Sequence, residues 1–238
     1  MAETTTTQYQ VQKYLTLVKL HPESAEAHFG LGMAYEEAGQ TADANKEYEQ
    51  AIKLDSKHSK SYLHRGFLLA RGAELKLALE EWRKAFKNDP NLHMLFSDPD
   101  TAAMYKKKIG SAIQQFERPI VVNPKDSFAH YQLGSAYKLF GRLELALQSL
   151  KRALDVNPRL WEAYEQCGEI YTKLSQNKLA IDNFKKAVEA NPRYADAHFQ
   201  LGEVYARENM GALAVRHLDR AIELDPEQPR FYFALGRV

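Results

Sequence analysis

The sequence predicts an all-α fold, a solenoid of stacked antiparallel helix pairs, and three observations point to it. The first is a proline register. Pro22, Pro90, Pro124, Pro158, Pro192 and Pro226 are separated by 34 residues or twice 34, and Ser56 fills the one vacancy. A fixed period of that length marks a repeat array. The second is residue size on the same register. With Ala25 as position 1, position 8 is Gly32, Gly66, Gly134, Gly168 and Gly202, and position 20 is Ala44, Ala78, Ala112, Ala146, Ala180 and Ala214. Position 24 is large and apolar (Tyr48, Trp82, Phe116, Leu150, Phe184, Leu218), and position 27 is Ala51, Ala85, Ala153, Ala187 and Ala221. The third is a pair of apolar stripes at helical spacing, around positions 4, 7 and 11 and around 20, 24 and 27.

The elements follow in order. In residues 1–24 a polar, Thr-rich start leads into a predicted helix over 8–20, where Tyr14, Leu17, Leu20 and Pro22 take positions 24, 27, 30 and 32. This is a second helix without its first. Residues 25–92 hold two repeats. A glycine inside a helix costs about 1 kcal/mol relative to alanine, so its return at position 8 predicts close approach of a neighbouring helix. Polar or glycine-containing turns such as Glu37-Ala38-Gly39-Gln40 and Leu139-Phe140-Gly141-Arg142 separate the two helices of a pair. Proline at position 32 stops the second helix and disfavours α conformation in the residue before it.

Residues 93–126 depart from the pattern, with Pro99 and Asp100 at positions 7 and 8 and Pro119 at position 27. Ser97-Asp98-Pro99-Asp100 reads as a helix cap followed by proline in the first turn. One long helix from Thr101 to Arg118 is expected in place of the hairpin, broken or kinked at Pro119. The repeat is either a degenerate unit in its slot or a seam between two blocks with some relative motion. Lys106-Lys107-Lys108 on this helix reads as a solvated face. Residues 127–228 hold three further repeats. Residues 229–238 place Tyr232, Leu235 and Gly236 at positions 4, 7 and 8, a first helix without its second. No single pair buries both faces, so neighbours must stack.

Composition excludes several classes. The chain has 32 basic and 31 acidic residues, which sets up no strong field toward nucleic acid or an anionic membrane. No apolar run approaches the roughly 18 residues that span a bilayer. The start lacks the apolar segment of a signal peptide, so a cytoplasmic location is expected. A single cysteine excludes an intrachain disulfide framework. Cys167 takes position 7, occupied elsewhere by Leu31, Leu133 and Leu201, and is expected in the core.

The order of Leu-Gly, Tyr at position 11 (Tyr35, Tyr137, Tyr171, Tyr205), Ala at 20, a large residue at 24 and Pro at 32 resembles the tetratricopeptide repeat family. The resemblance covers nearly the whole chain and fails clearly only over 93–126. It implies a right-handed superhelical α-solenoid of antiparallel helix pairs. It also implies a concave groove lined by first-helix positions 2, 5, 6, 9, 12 and 13, and a role in binding other proteins.

No catalytic constellation emerges. His28, His130 and His198 share position 4 and should pack in different layers. His58 and His64 flank a turn without a carboxylate or thiol at ligand spacing. Phosphate loop, nucleophile elbow and carboxylate pair are all lacking. A non-enzyme without cofactor or metal is expected.

On the implied groove of the C-terminal repeats, Gln132, Gln166 and Gln200 share position 6. Their amides would align into a ladder able to hold an extended peptide backbone, although glutamine is also simply a good helix former. Around them lie Phe128, Glu162 and Asp196 at position 2, and Tyr131, Glu165 and Phe199 at position 5. Position 9 holds Ser135, Glu169 and Glu203, and position 13 holds Leu139, Lys173 and Arg207. Aromatic anchors beside carboxylates suit a ligand with apolar groups and basic side chains. In the N-terminal repeats Phe29, Met33, Leu63 and Phe67 form a more apolar secondary groove, suited to an amphipathic helix such as the chain's own N-terminus. The family's carboxylate clamp for chaperone tails, built on Lys and Asn, is absent.

The expected function is therefore a non-catalytic scaffold or adaptor that binds a protein or peptide partner, with neither nucleic acid nor membrane insertion. Two alternatives remain: a homo-oligomer that stacks end to end through its half-repeats, and a regulatory repeat segment of a larger protein.

Overall fold

A computed structural model describes the backbone of residues 2–238 and the side chains of residues 7–238. Among the described residues the chain is all helical. α1 (Ala2–Leu20) precedes the pairs α2 (Ala25–Glu37) with α3 (Thr41–Leu54) and α4 (Ser59–Arg71) with α5 (Leu75–Asn88). A short 3₁₀ turn (Leu92–Phe96) leads to the long α6 (Ala102–Val122). The pairs α7 (Ser127–Leu139) with α8 (Leu143–Val156), α9 (Trp161–Lys173) with α10 (Asn177–Ala190), and α11 (Ala195–Arg207) with α12 (Gly211–Leu224) follow, and α13 (Pro229–Leu235) is last. The chain forms two compact units. The N-terminal unit comprises residues 1–118 with 139–141, and the C-terminal unit comprises residues 119–138 with 142–238.

The register explains how the pairs pack. Each position-8 glycine lies beneath the position-24 side chain of its own repeat. A methyl group on Gly32 or Gly168 would sit 2.6 Å from a ring carbon of Tyr48 or Phe184, and one on Gly66 would overlap the Trp82 indole. On Gly134 or Gly202 it would sit 2.8 Å from Cγ of Leu150 or Leu218. The missing Cβ is thus the socket for a fully buried knob. Trp82, Tyr48, Phe184, Leu150 and Leu218 are all 0% exposed.

Turn chemistry repeats as faithfully. The first helix of each regular pair ends on a left-handed residue at position 15: Gly39, Ala73, Gly141, Ser175 and Asn209, with φ between 57° and 74°. The following N–H then reaches back to the position-11 carbonyl, as Gln40 does to Tyr35 at 2.9 Å, which satisfies an end group of the helix. Between repeats, Asp or Asn at position 31 folds its carboxyl or amide oxygen onto the backbone two residues on. Asp55 accepts from Lys57 N at 2.9 Å, and Asn157 from Arg159 N at 3.1 Å. Such turns compete with helix continuation and reinforce the proline stop.

In 93–126, Asp98 caps α6 by accepting from the Thr101 backbone N–H at 3.1 Å. Of the break or kink expected at Pro119, the break is corrected: α6 continues through Pro119 to Val122. Only three helical residues follow the proline, so the missing N–H costs one hydrogen bond near the helix end rather than a ladder of them.

The position-4 histidines pack, and each donates Nε2–H to the proline carbonyl ahead of its helix: His28 to Pro22 at 3.1 Å, His130 to Pro124 at 2.9 Å and His198 to Pro192 at 3.2 Å. His198 Nδ1 then accepts from His217 Nδ1, 3.1 Å away. That bond requires the accepting His198 ring to be neutral. Burial first, then His198, Arg216 and Lys185, push His217 down to about 4 from an ordinary 6.5. A depressed histidine gives stability that is complete above the unfolded value and lost as pH falls. The free energy of urea unfolding should therefore decline between pH 6.5 and pH 4, and His217→Gln should flatten that decline. An unchanged slope in the variant would show that the pair does not drive it.

Candidate functional site

α7, α9 and α11 carry the residues that the sequence reading assigned to a groove, and successive first helices are joined by polar contacts. Gln166 Nε2 on α9 donates to Ser135 Oγ on α7 at 2.7 Å, and Gln200 Nε2 on α11 donates to Glu169 Oε1 on α9 at 3.4 Å. Each glutamine reaches position 9 of the preceding repeat, not another glutamine. The expected amide ladder is corrected accordingly: the donors are spent between repeats, and Gln132, Ser135 and Gln166 are buried. Lys138 pairs with Glu169.

Around this seam lie the exposed and half-buried groups. Phe128, 52% exposed, stacks on Tyr131 with centroids 6.0 Å apart. Tyr194, the N-cap residue of α11, donates its hydroxyl to Glu165 Oε1 at 2.8 Å. Asp196 pairs with Arg230, whose guanidinium lies 5.1 Å from the rings of both Phe199 and Phe231. Glu162 and Glu203 are half-buried, Lys173 and Arg207 are exposed, and Arg207 stands 3.9 Å from Glu203. Burial pushes the Glu165 carboxyl up to about 7; the Tyr194 hydrogen bond and Lys138 oppose the rise, while Glu169 and Asp196 add to it. The face thus combines aromatic rings with carboxylates in fixed positions.

The secondary groove is corrected more sharply. Phe29, Leu63 and Phe67 are 6%, 0% and 4% exposed and belong to the core. Met33 packs against that core. A pocket of about 290 Å³ does lie in the N-terminal unit. It is lined by Met33, Phe67 and Met104 on its apolar side and by Glu36, Glu37, Arg71, Lys107 and Lys108 on its charged side. Among the described residues, none from α1 lines it. It packs instead on α2, with the Tyr14 ring over Gly30.

Beneath the pocket is a buried ionic cluster absent from the sequence reading. Glu36, with its side chain 4% exposed, accepts from Lys108 Nζ at 2.6 Å, from Tyr48 Oη at 2.9 Å and from His64 Nδ1 at 3.1 Å. His64 Nε2 faces Tyr105 Oη at 3.1 Å. A neutral His64 that donates through Nδ1 and accepts from Tyr105 satisfies both contacts. Burial would raise the Glu36 carboxyl, but the His64 hydrogen bond and the Lys108 charge outweigh it and bring it to about 2. Lys108 is therefore not part of a solvated face, while Lys106 and Lys107 are exposed. His58 and His64 do have carboxylate partners, Glu26 at 3.0 Å and Glu36, but separate ones. Among the described residues no group of three His, Cys, Asp or Glu side chains is placed to hold a metal ion. Cys167 is 1% exposed, and burial pushes its thiol up to about 12. No helix among the described residues is long and apolar enough to cross a membrane.

Family models described as "Tetratricopeptide repeat" match residues 25–58, 129–160 and 195–238, and one described as "TPR repeat" matches residues 168–209. No curated protein sequence matches the chain. Among solved structures, YrrB, described as a TPR protein with an unusual peptide-binding site, is 20% identical with a TM-score of 0.45, over 94% of this chain and 98% of that one. The Cut9–Hcn1 hetero-tetramer of the APC/C is 18% identical with a TM-score of 0.49, over 97% of this chain and 46% of that one. MamA is 19% identical with a TM-score of 0.46, over 84% of this chain and 97% of that one. At these scores the likenesses carry no argument about what is bound.

Proposed function

Because the chain belongs to the tetratricopeptide repeat family, we propose that this protein-interaction scaffold holds a partner's peptide segment on the first-helix face of its C-terminal unit. The observation that supports this reading is the exposed Phe128, stacked on Tyr131, on the first-helix face whose carboxylates Glu165 and Glu169 are bonded to Tyr194 at the N-cap of α11 and to Lys138 on α7. Large rings on a pre-organised polar frame are the usual anchors of binding energy, because the frame loses little entropy when the ligand arrives. The residues involved are Phe128, Tyr131, Glu162, Glu165, Glu169, Phe199, Glu203, Lys173 and Arg207. Buried Gln132, Ser135, Gln166 and half-buried Gln200 serve as the frame. No catalytic step is assigned to the face.

Selection from a displayed peptide library tests the proposal. Peptides enriched on the wild-type protein should lose about tenfold or more in affinity for the Phe128→Ala/Tyr131→Ala variant, given that anchor truncations commonly cost above 1 kcal/mol each. Circular dichroism on the same variant checks that the fold is kept. Enriched peptides that bind the variant unchanged would place the site elsewhere.

A further inference from the structure

We infer that Glu165 is the recognition point for a cationic side chain, arginine or lysine, of the bound segment. The inference rests on the peptide-binding reading of the same face. The five acidic groups on this face differ in their partners. Glu203 stands 3.9 Å from Arg207. Among the described residues Glu162 and Glu165 form no ion pair, and of the two Glu165 is the one that burial raises. Glu169 is paired with Lys138 and Asp196 with Arg230. Glu165 receives only the Tyr194 hydroxyl, on Oε1, and among the described residues no Lys or Arg nitrogen forms an ion pair with it. A carboxylate that is half-buried and lacks a counter-ion is costly unless something supplies one.

A second observation is independent of charge. Gln166, the next residue on α9, is 6% exposed, and its Oε1 is the one buried side-chain oxygen or nitrogen among the described residues that lacks a hydrogen-bond partner. Its amide nitrogen is already committed to Ser135. Adjacent residues on α9 therefore hold a carboxylate without a counter-ion and, beneath the surface, a neutral acceptor without a donor. The complement is a group rich in N–H donors that carries positive charge, which describes a guanidinium or an ammonium. Phe128, Tyr131 and Phe199 on the same face offer rings to the stem of such a side chain and to apolar neighbours.

The site also acquires a proton linkage. Without ligand, Glu165 is half protonated near pH 7, because burial and the negative charges of Glu169 and Asp196 outweigh the Tyr194 hydrogen bond and Lys138. A bound cation favours the ionised form, so binding expels the proton. Affinity for the cation then rises as pH rises through neutrality.

The test uses two blocked dipeptides, N-acetyl-Phe-Arg-amide and its citrulline counterpart, which keeps the shape but not the charge. Each is titrated into the ¹⁵N-labelled protein at pH 6 and pH 8 by NMR. The arginine dipeptide should shift the α7, α9 and α11 resonances and bind about five- to tenfold more tightly at pH 8, as expected when the ionised fraction of a group titrating near 7 rises across that interval. The citrulline dipeptide should bind more weakly with no such pH dependence. Glu165→Gln, which still accepts from Tyr194, should erase both the preference and the pH effect. Equal binding of the two dipeptides, or an arginine preference that survives in Glu165→Gln, would overturn the inference while leaving the peptide-binding reading to the library experiment. If neither the dipeptides nor library peptides engage this face, both readings fall.

Discussion

Glu36→Ala should cost the N-terminal unit about 3–5 kcal/mol, the range for removing one partner of a buried ion pair. The carboxylate accepts from Lys108, Tyr48 and His64 together, so its loss strands a largely buried ammonium and removes the acceptor from two buried polar side chains. Glu36→Met combined with Lys108→Met should recover much of the loss, since an apolar pair of similar volume is often neutral relative to a buried salt bridge. The sign of the pH effect follows from the lowered carboxyl: the contribution is complete above the ordinary 4.5 and disappears as pH falls toward 2. Trp82 is buried in this unit, and the other tryptophan, Trp161, is in the C-terminal unit. Urea unfolding followed by fluorescence in a Trp161→Phe background therefore reads the right half of the molecule. A loss below about 1 kcal/mol, the level of an exposed pair, would show that the cluster does not hold α6 to α2 and α4.

Gly66→Ala is expected to be the next most damaging single change, at up to about 2 kcal/mol net. Overpacking costs about 1–3 kcal/mol, and better helix propensity returns about 1. The new methyl would overlap the Trp82 indole, which cannot retreat: it is fully buried, and its Nε1 donates to the Leu63 carbonyl at 3.2 Å. Gly134→Ala and Gly202→Ala meet leucines instead. The new methyl would sit 2.8 Å from a buried leucine Cγ and 3.2 Å from a backbone oxygen. These substitutions should also destabilise, but by less than Gly66→Ala, because a leucine can shift further than a hydrogen-bonded indole. Trp82→Leu introduced beside Gly66→Ala should cost less than it does alone, because the two residues share one space. A Gly66→Ala protein no less stable than wild type in urea melts would refute the knob-and-socket account.

The sequence revealed the fold because its signals are local and repeated. Glycine at 8, alanine at 20 and a large side chain at 24 are each unremarkable, yet at a fixed period they define one contact made five times. The histidines at position 4 were legible as packing residues for the same reason. The left-handed residue at position 15 was less visible, because Ala73, Ser175 and Asn209 stand where only two repeats have glycine.

The site was legible only in part. Residues at groove positions could be named, but their free hydrogen-bonding capacity could not, since that depends on what the next repeat presents. Gln166 and Gln200 looked like a ladder until Ser135 and Glu169 took their donors. The buried cluster was invisible for a related reason. Glu36, His64 and Lys108 come from three repeats at three different positions, 28 and 72 residues from Glu36 in sequence. No period brings them together. The irregular repeat that sets Lys108 against Glu36 was also the one where the register failed, and so a run of three lysines read as solvated.

The bonds from position 6 to position 9 of the preceding repeat have a consequence for how such a chain can change over generations. Excising 161–194 would join Leu160 to Ala195 and place the Gln200 amide opposite the Ser135 hydroxyl, the same donor–acceptor pair that Gln166 makes now. Duplicating that segment would likewise repeat an existing pairing. Gain or loss of whole periods within 161–228 keeps each of these amides opposite a position-9 acceptor, whereas a change that is not a multiple of the period strands it. The gene is therefore free to lengthen or shorten only in whole words.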